Sequence, residues 1–269
     1  MKTLLLLALS AVGLLAQPAA RPLIGLSVNG GEKARLEPGW PVLISVSIAP
    51  GDEPARLALK EGSWLDAISV TVEAPDGSSV DLIRSTRMQP DAVDLRDLET
   101  VTAEFMLSPD TTQQLPLGTY RVRAAFDPQG RQTEDAWPAR LDAVPASFEV
   151  NQDPPEDEAA HQAARLLLFS HWSELQDDRP QALAYVDELL NAQPAHYTAK
   201  VRKAELLEAE GHFTEALQLL DEVEVQLLAD FPEAKHPPTL IHRRQADLLD
   251  RILHTEGQGG PTESSTRKK

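Results

Sequence analysis

The sequence contains no cysteine. Disulfides, thiolate nucleophiles, cysteine-bearing metal sites, covalent haem attachment and the lipid-modified cysteine that tethers bacterial lipoproteins are all excluded by that one absence. Positive charge is short as well: 25 Lys and Arg stand against 42 Asp and Glu, for a formal charge of -17. The deficit is spread along the chain, with 12 basic against 20 acidic residues from Arg21 to Val150 and 12 against 22 from Asn151 onward. A surface of that sign repels phosphate backbones and anionic headgroups, so nucleic acid is not an expected partner. The sequence has no Gly-rich phosphate loop, no Gly-x-Ser-x-Gly elbow, and no histidine before His161 to serve as a base. The seven histidines (161, 171, 196, 212, 236, 242, 254) include no pair three or four apart on one predicted helix, the spacing a helical metal site requires. No catalytic residue, metal or cofactor is expected.

Long apolar runs are also missing after Leu15. The run from Leu4 to Leu15 follows Lys2 and precedes Ala16-Gln17-Pro18-Ala19-Ala20. At about a dozen residues, where a span needs about 20, it reads as a secretory signal peptide over residues 1–16 rather than an anchor. With no cysteine and no Asn-x-Ser/Thr sequon, the expected address is the bacterial periplasm or the extracellular medium, with no span in the mature chain.

From Pro22 to Val150 the apolar residues alternate. Val42, Ile44, Val46 and Ile48 are interleaved with Ser45 and Ser47, and Ile68, Val70 and Val72 repeat the pattern before the turn Ala74-Pro75-Asp76-Gly77. Period two marks half-buried strands. The same reading covers Leu23 to Val28, Val80 with Leu82, Val101 to Leu107, Tyr120 to Phe126 and Phe148 to Val150. About seven strands separated by Gly, Pro and Asp turns, such as Ser108-Pro109-Asp110, predict an antiparallel β-sandwich over 21–150. The stretch Leu117-Gly118-Thr119-Tyr120-Arg121-Val122 resembles the penultimate strand of bacterial immunoglobulin-like domains, in which Tyr120 would either make a corner hydrogen bond or simply fill the core. Trp40 and Trp64 read as loop or strand-end aromatics, for edge packing or carbohydrate stacking.

Two prolines and four acidic residues in 151–158 read as a linker, and five segments of period 3.6 follow. They fall near 159–175, 179–192, 195–209, 213–229 and 238–254, with Asp178-Arg179-Pro180 as a start signal and Gly211 as a stop signal. Residues 255–269, made of Gly, Ser, Thr and charge, are expected to be a disordered tail. Within the helical part, Ala182-Leu183 and Ala216-Leu217 lie 34 residues apart, as do Val186 and Leu220, and Ser170 and Ala204; Pro194 closes the first copy.

That spacing resembles the tetratricopeptide repeat (TPR), whose small positions let paired antiparallel helices pack closely. The family's usual Trp, Leu and Tyr positions hold Leu166 and Lys200, Phe169 and Lys203, and Ser173 and Leu207, so the second-helix signature is the better kept. The closing proline of the second copy comes late, at Pro232, which predicts a fourth helix one turn longer. Two copies are fewer than such arrays normally need, so 238–254 is expected to cap the end. The fold class expected is therefore an all-β immunoglobulin-like sandwich followed by an all-α TPR-like array over 159–254.

The resemblance implies a non-catalytic scaffold or interaction protein, with an extracytoplasmic protein or peptide as partner. It places His171, Glu174, Glu205 and Glu208 on the partner-binding face of the first helices, an acidic groove suited to a basic or polar segment. The alternative is recognition of a carbohydrate or protease by the β-sandwich, with the helices used for assembly.

Overall fold

The computed structural model describes residues 21–51, 54–85, 91–95, 100–153, 156–233 and 238–258. The signal-peptide region, Pro154-Pro155 of the linker and residues 259–269 of the tail lie outside them. The chain divides into two units, 1–156 and 157–269.

The first unit is built from β1 (Leu23–Val28), β2 (Lys33–Leu36), β3 (Val42–Ala49), β4 (Ala55–Ala58), β5 (Ile68–Glu73), β6 (Ser79–Val80), β7 (Ile83–Arg84), β8 (Ala92–Leu95) and β9 (Val101–Leu107). A short helix, α1 (Pro109–Gln113), precedes β10 (Gly118–Phe126), β11 (Leu141–Asp142) and β12 (Ala146–Val150). One sheet has the order β1-β3-β9-β7 and the second β2-β12-β10-β5-β6, with β11 also on β10, while β4 and β8 pair separately. All these pairings are antiparallel except β12 with β2.

The alternation in β3 dictates its place. Val42, Ile44, Val46 and Ile48 are fully buried, and the β-branched side chains suit a central pleated strand. Its other face carries Ser47, whose hydroxyl meets that of Thr102 directly opposite on β9 at 3.0 Å. β1 lies against β10, β11 and β12 of the second sheet, so the inward rows of both sheets meet. On β10, Tyr120 is fully buried and stacks on Phe148 of β12 with ring centroids 4.9 Å apart. Its hydroxyl donates to the Pro116 carbonyl at 2.8 Å, so both roles open to this tyrosine are filled at once. Gly118 enters the strand at φ 141, where a Cβ would stand 2.9 Å from the Pro75 ring.

The strands that sequence periodicity does not predict are short: β2, β4, β7, β8 and β11 have between two and four residues each. The Ser108-Pro109-Asp110 turn is instead the capped start of α1, with the Ser108 hydroxyl accepting from the Thr111 amide at 3.0 Å. Thr112 of α1 is buried and donates to the Trp40 carbonyl at 2.7 Å. Trp40 and Trp64 are both buried, Trp64 completely, so neither ring offers the exposed face that sugar stacking needs.

The described residues of the second unit form the helices α2 (Glu158–Leu175), α3 (Arg179–Ala192), α4 (Tyr197–Ala209), α5 (Phe213–Asp230) and α6 (Thr239–Gln258). Asp157 caps α2, so the helix starts inside what the sequence suggests is linker. α6 continues to Gln258, past Thr255, where the tail was expected to begin. At 18 residues against 14, α5 exceeds α3 by one turn, in line with the late proline.

Each helix packs on the next in sequence. One apolar cluster joins α2, α3 and α4 through Leu166, Val186, Leu189 and Leu206; another joins α4, α5 and α6 through Ala204, Leu220, Val223 and Leu248. Ala182 and Ala216, Val186 and Leu220, and Leu189 and Val223 occupy equivalent buried places 34 residues apart. Burying side chains of the larger kinds is worth about 1.5–3 kcal/mol each.

The helix ends repeat at the same interval. α2 closes with the Asp178 amide donating to the Ser173 carbonyl and the Asp177 amide to Glu174, both 2.9 Å. α4 closes with His212 to Leu207 at 2.9 Å and Gly211 to Glu208 at 3.0 Å. This is the Schellman closure, with its left-handed residue supplied by Asp177 (φ 63) in one copy and Gly211 (φ 84) in the other.

Candidate functional site

Helices α2, α4 and α6, the first, third and fifth of the unit, are linked by a ladder of charged side chains. Its centre is Arg202 of α4, whose side chain is 6% exposed. The small residue Ser170 on α2 leaves room for it, and Ser170 accepts twice: Oγ from Nε at 3.3 Å and the backbone carbonyl from Nη2 at 3.4 Å. The same Nη2 donates to Glu174 at 2.6 Å, and Nη1 donates to Glu205 at 3.4 Å. A guanidinium with so little water around it persists because its donors are met by a carboxylate pair and a serine.

The ladder continues to α6. Arg244 donates through Nη1 to Glu205 at 2.7 Å, and through Nε and Nη2 to Glu208, both at 3.1 Å. Arg251 approaches the other oxygen of Glu208 at 3.3 Å. Burial works to lower the pKa of Arg244, but Glu205 and Glu208 outweigh it and raise the value, so the fork stays charged. Three glutamates therefore meet three arginines, in the order Glu174, Arg202, Glu205, Arg244, Glu208, Arg251.

All four predicted site residues fall on or beside this ladder, but not as an acidic groove. Glu174, Glu205 and Glu208 are neutralised by arginines of the same unit, so the free negative charge expected there is absent. His171 is half-buried on α2 near Arg202. Burial of the ring, with the Arg202 charge second, pushes its pKa down to about 3, so the imidazole is neutral at physiological pH. Sequence reasoning missed Arg202, Arg244 and Arg251. The available signal was an arginine inside the small, buried layer formed by Ser170 and Ala204, where only a paired cation can sit.

Flanking pairs tie the helix pairs together. Lys200 reaches Glu222 of α5 at 3.0 Å, and Lys203 reaches Asp187 of α3 at 2.7 Å. Phe169, 34 residues before Lys203, packs against Tyr185 at 5.6 Å with Arg165 over its ring, so it belongs to the α2–α3 seam. His196 caps α4 by accepting the Ala199 amide on Nδ1 at 3.2 Å, and burial lowers its pKa.

Among the described residues no group of three or more His, Asp or Glu side chains is placed to hold a metal. In the β unit a shallow depression of about 450 Å³ on the β5, β10 and β12 side has Glu73 and Arg121 as its charged lining residues. No described helix is long and apolar enough to cross a membrane.

No family model matches this sequence, and no curated protein matches it. Among solved structures it is similar to a family 123 glycoside hydrolase from Clostridium perfringens, at 10% identity and TM-score 0.29 over 52% of this chain and 29% of that one. It is also similar to Spo0M, a sporulation control protein from Bacillus subtilis, at 13% identity and TM-score 0.28 over 57% and 55% of the two chains. A third is BcpA, the major pilin subunit of Bacillus cereus, at 11% identity and TM-score 0.25 over 49% and 41%. The chain spans less than two thirds of the length of each. At TM-scores this low the likenesses assign neither fold nor function.

Proposed function

We propose that this chain is an exported, non-catalytic interaction protein that holds an extracytoplasmic protein or peptide through TPR-like helices, alongside an immunoglobulin-like β-sandwich. The observation that carries the reading is the 34-residue recurrence. Core positions Ala182/Ala216 and Val186/Leu220 and the two Schellman closures repeat together, the behaviour of stacked repeat units rather than of one irregular bundle. Stacking of that kind puts first helices side by side, and the α2–α4–α6 ladder spans three of them.

A partner meeting this ladder finds fixed donors and acceptors with no net charge among the six side chains. It is therefore selected by geometry and hydrogen bonding more than by bulk electrostatics. The bacterial periplasm or extracellular medium remains the proposed address, from the Lys2 to Ala20 segment.

A photo-crosslinking residue introduced at 251 of the full chain, the exposed end of the ladder, should capture a discrete partner in the native envelope. One at 121, on the outer face of β10, should not. Capture from 121 alone would transfer recognition to the β unit.

A further inference from the structure

The α5–α6 shoulder differs from the ladder in both polarity and charge. On α6, the buried residues Ile241, Gln245 and Leu248 face inward, and Arg244 and Arg251 reach α4. Ala246, Leu249 and Leu253 form a separate stripe at helical spacing i, i+3, i+7, with Leu249 49% and Leu253 67% exposed. Gln245, one residue before Ala246, marks where this side of α6 meets α5. Its Nε2 donates to Asp221 and to Glu224, each at 2.8 Å. Val225, one turn beyond Asp221 on the same side of α5, is 69% exposed.

Two features make this shoulder unlike an ordinary solvated face. The apolar stripe is continuous on α6 and is left uncovered by the described residues, whereas isolated exposed leucines need no explanation. Asp221 and Glu224 share one neutral amide as their hydrogen-bond donor and have no ion pair among the described residues, while every glutamate of the ladder has an arginine. The shoulder thus leaves an apolar stripe uncovered and two carboxylates without a cation, and a single occupant can supply both an apolar face and a positive charge.

We infer that the α5–α6 shoulder docks an amphipathic helix of another protein that carries lysine or arginine along the border of its apolar stripe. Residues 259–269 of this chain hold no large apolar side chain and cannot fill the stripe. A second copy fits poorly on charge, since residues 157–258 carry nine basic against nineteen acidic residues and would bring more acid to Asp221 and Glu224. A basic amphipathic helix instead places leucine-like side chains on Leu249 and Leu253 and a cation between the two carboxylates. The inference deepens the interaction reading and rests on it, but it uses a different surface from the ladder.

The test uses the full chain and a short fluorescent peptide of leucine and lysine with one apolar and one basic helical face, with a leucine–glutamate twin as control. The lysine peptide should bind at low salt and the twin should not. Leu249→Gln with Leu253→Gln should weaken binding about tenfold or more, and Asp221→Asn with Glu224→Gln by about tenfold, with helical content unchanged. Val144→Gln, an exposed apolar site in the β unit, should leave binding unaltered. Equal binding by the Leu249/Leu253 variant, or by the acidic twin, overturns the proposal. Concentration-dependent self-association that Leu253→Gln abolishes also overturns it, by giving the face to a second copy. Failure of the lysine peptide to bind, while crosslinking at 251 still captures a partner, would sink this inference and leave the interaction reading intact.

Discussion

The two units handle charge in opposite ways. In the β unit ion pairs such as Arg140 with Asp142 and Arg84 with Asp66 are peripheral, each more than 40% exposed on both sides, and the mostly apolar interior holds the neutral hydroxyls of Thr112 and Tyr120, each donating to a backbone carbonyl. In the helical unit a guanidinium sits inside the structure, and the pairs that hold it join helices far apart in sequence. The β unit therefore draws its specificity from alternating apolar strands, the helical unit from polar partners that must all be present together. Exposed pairs contribute little, whereas breaking a buried pair strands a charge.

The sharpest way to break this contrast is Arg202→Ala. It leaves Glu174 and Ser170 without their donor and should destabilise the helical unit by about 3 kcal/mol in urea unfolding, with the β transition unmoved. A smaller effect of the size seen for surface pairs would mean that the ladder is ornamental.

Acid should come next. His171 has a folded pKa of about 3 against an ordinary 6.5, so between those values the unfolded chain binds the extra proton. Its contribution to stability is complete above pH 6.5 and falls as pH drops toward 3. Comparing the helical far-UV signal in denaturant at pH 6.5 and about pH 5 should show the slope, and His171→Gln should reduce it. An unchanged slope would place the proton uptake elsewhere.

On the β side, Tyr120→Phe removes the bond to Pro116 while keeping the stack on Phe148, and about 1 kcal/mol should be lost from that unit alone. Asp178→Ala, which removes the cap on the Gln181 amide, should cost the helical unit about 1 kcal/mol. Least of all, Arg140→Ala should leave the melting temperature of the β unit where it was; a clear shift would deny that its surface pairs are peripheral.

How much of this was legible in the sequence follows from the range of the forces involved. Helix ends were readable because caps are local: Asp178 before Pro180 and Gly211 after Glu210 act within one turn. Strands β1, β3 and β9 were readable for the same reason, since period two needs only a few neighbours. Strand β2 was not, because its four residues pair with β12, more than a hundred residues later. The ladder was missed on the same ground. Glu174 was visible as a carboxylate on the right helix, but its partner Arg202 is 28 residues away, and Glu205 finds Arg244 at 39. Counting charges face by face suggested free acid; only the juxtaposition of three helices reveals the neutralisation. A consequence is that Glu205→Lys with Glu208→Lys, a natural probe of an acidic groove, would set two lysines against three arginines and damage the helical unit itself.

The parallel pairing of β2 with β12 bears on how the β unit responds to tension. Lys33, Ala34, Arg35 and Leu36 lie beside Ser147, Phe148, Glu149 and Val150, one strand near the unit's beginning and the other at its end. Tension applied at Lys33, the start of β2, and at Val150, the end of β12, drags the two strands past each other along their length. The four rungs are then loaded together in shear, whereas an antiparallel hairpin drawn from its open end would give way one rung at a time. The same four residue pairs that close the sheet would act as a mechanical clamp, and the unit should resist stretching more than its hydrogen-bond count alone would suggest.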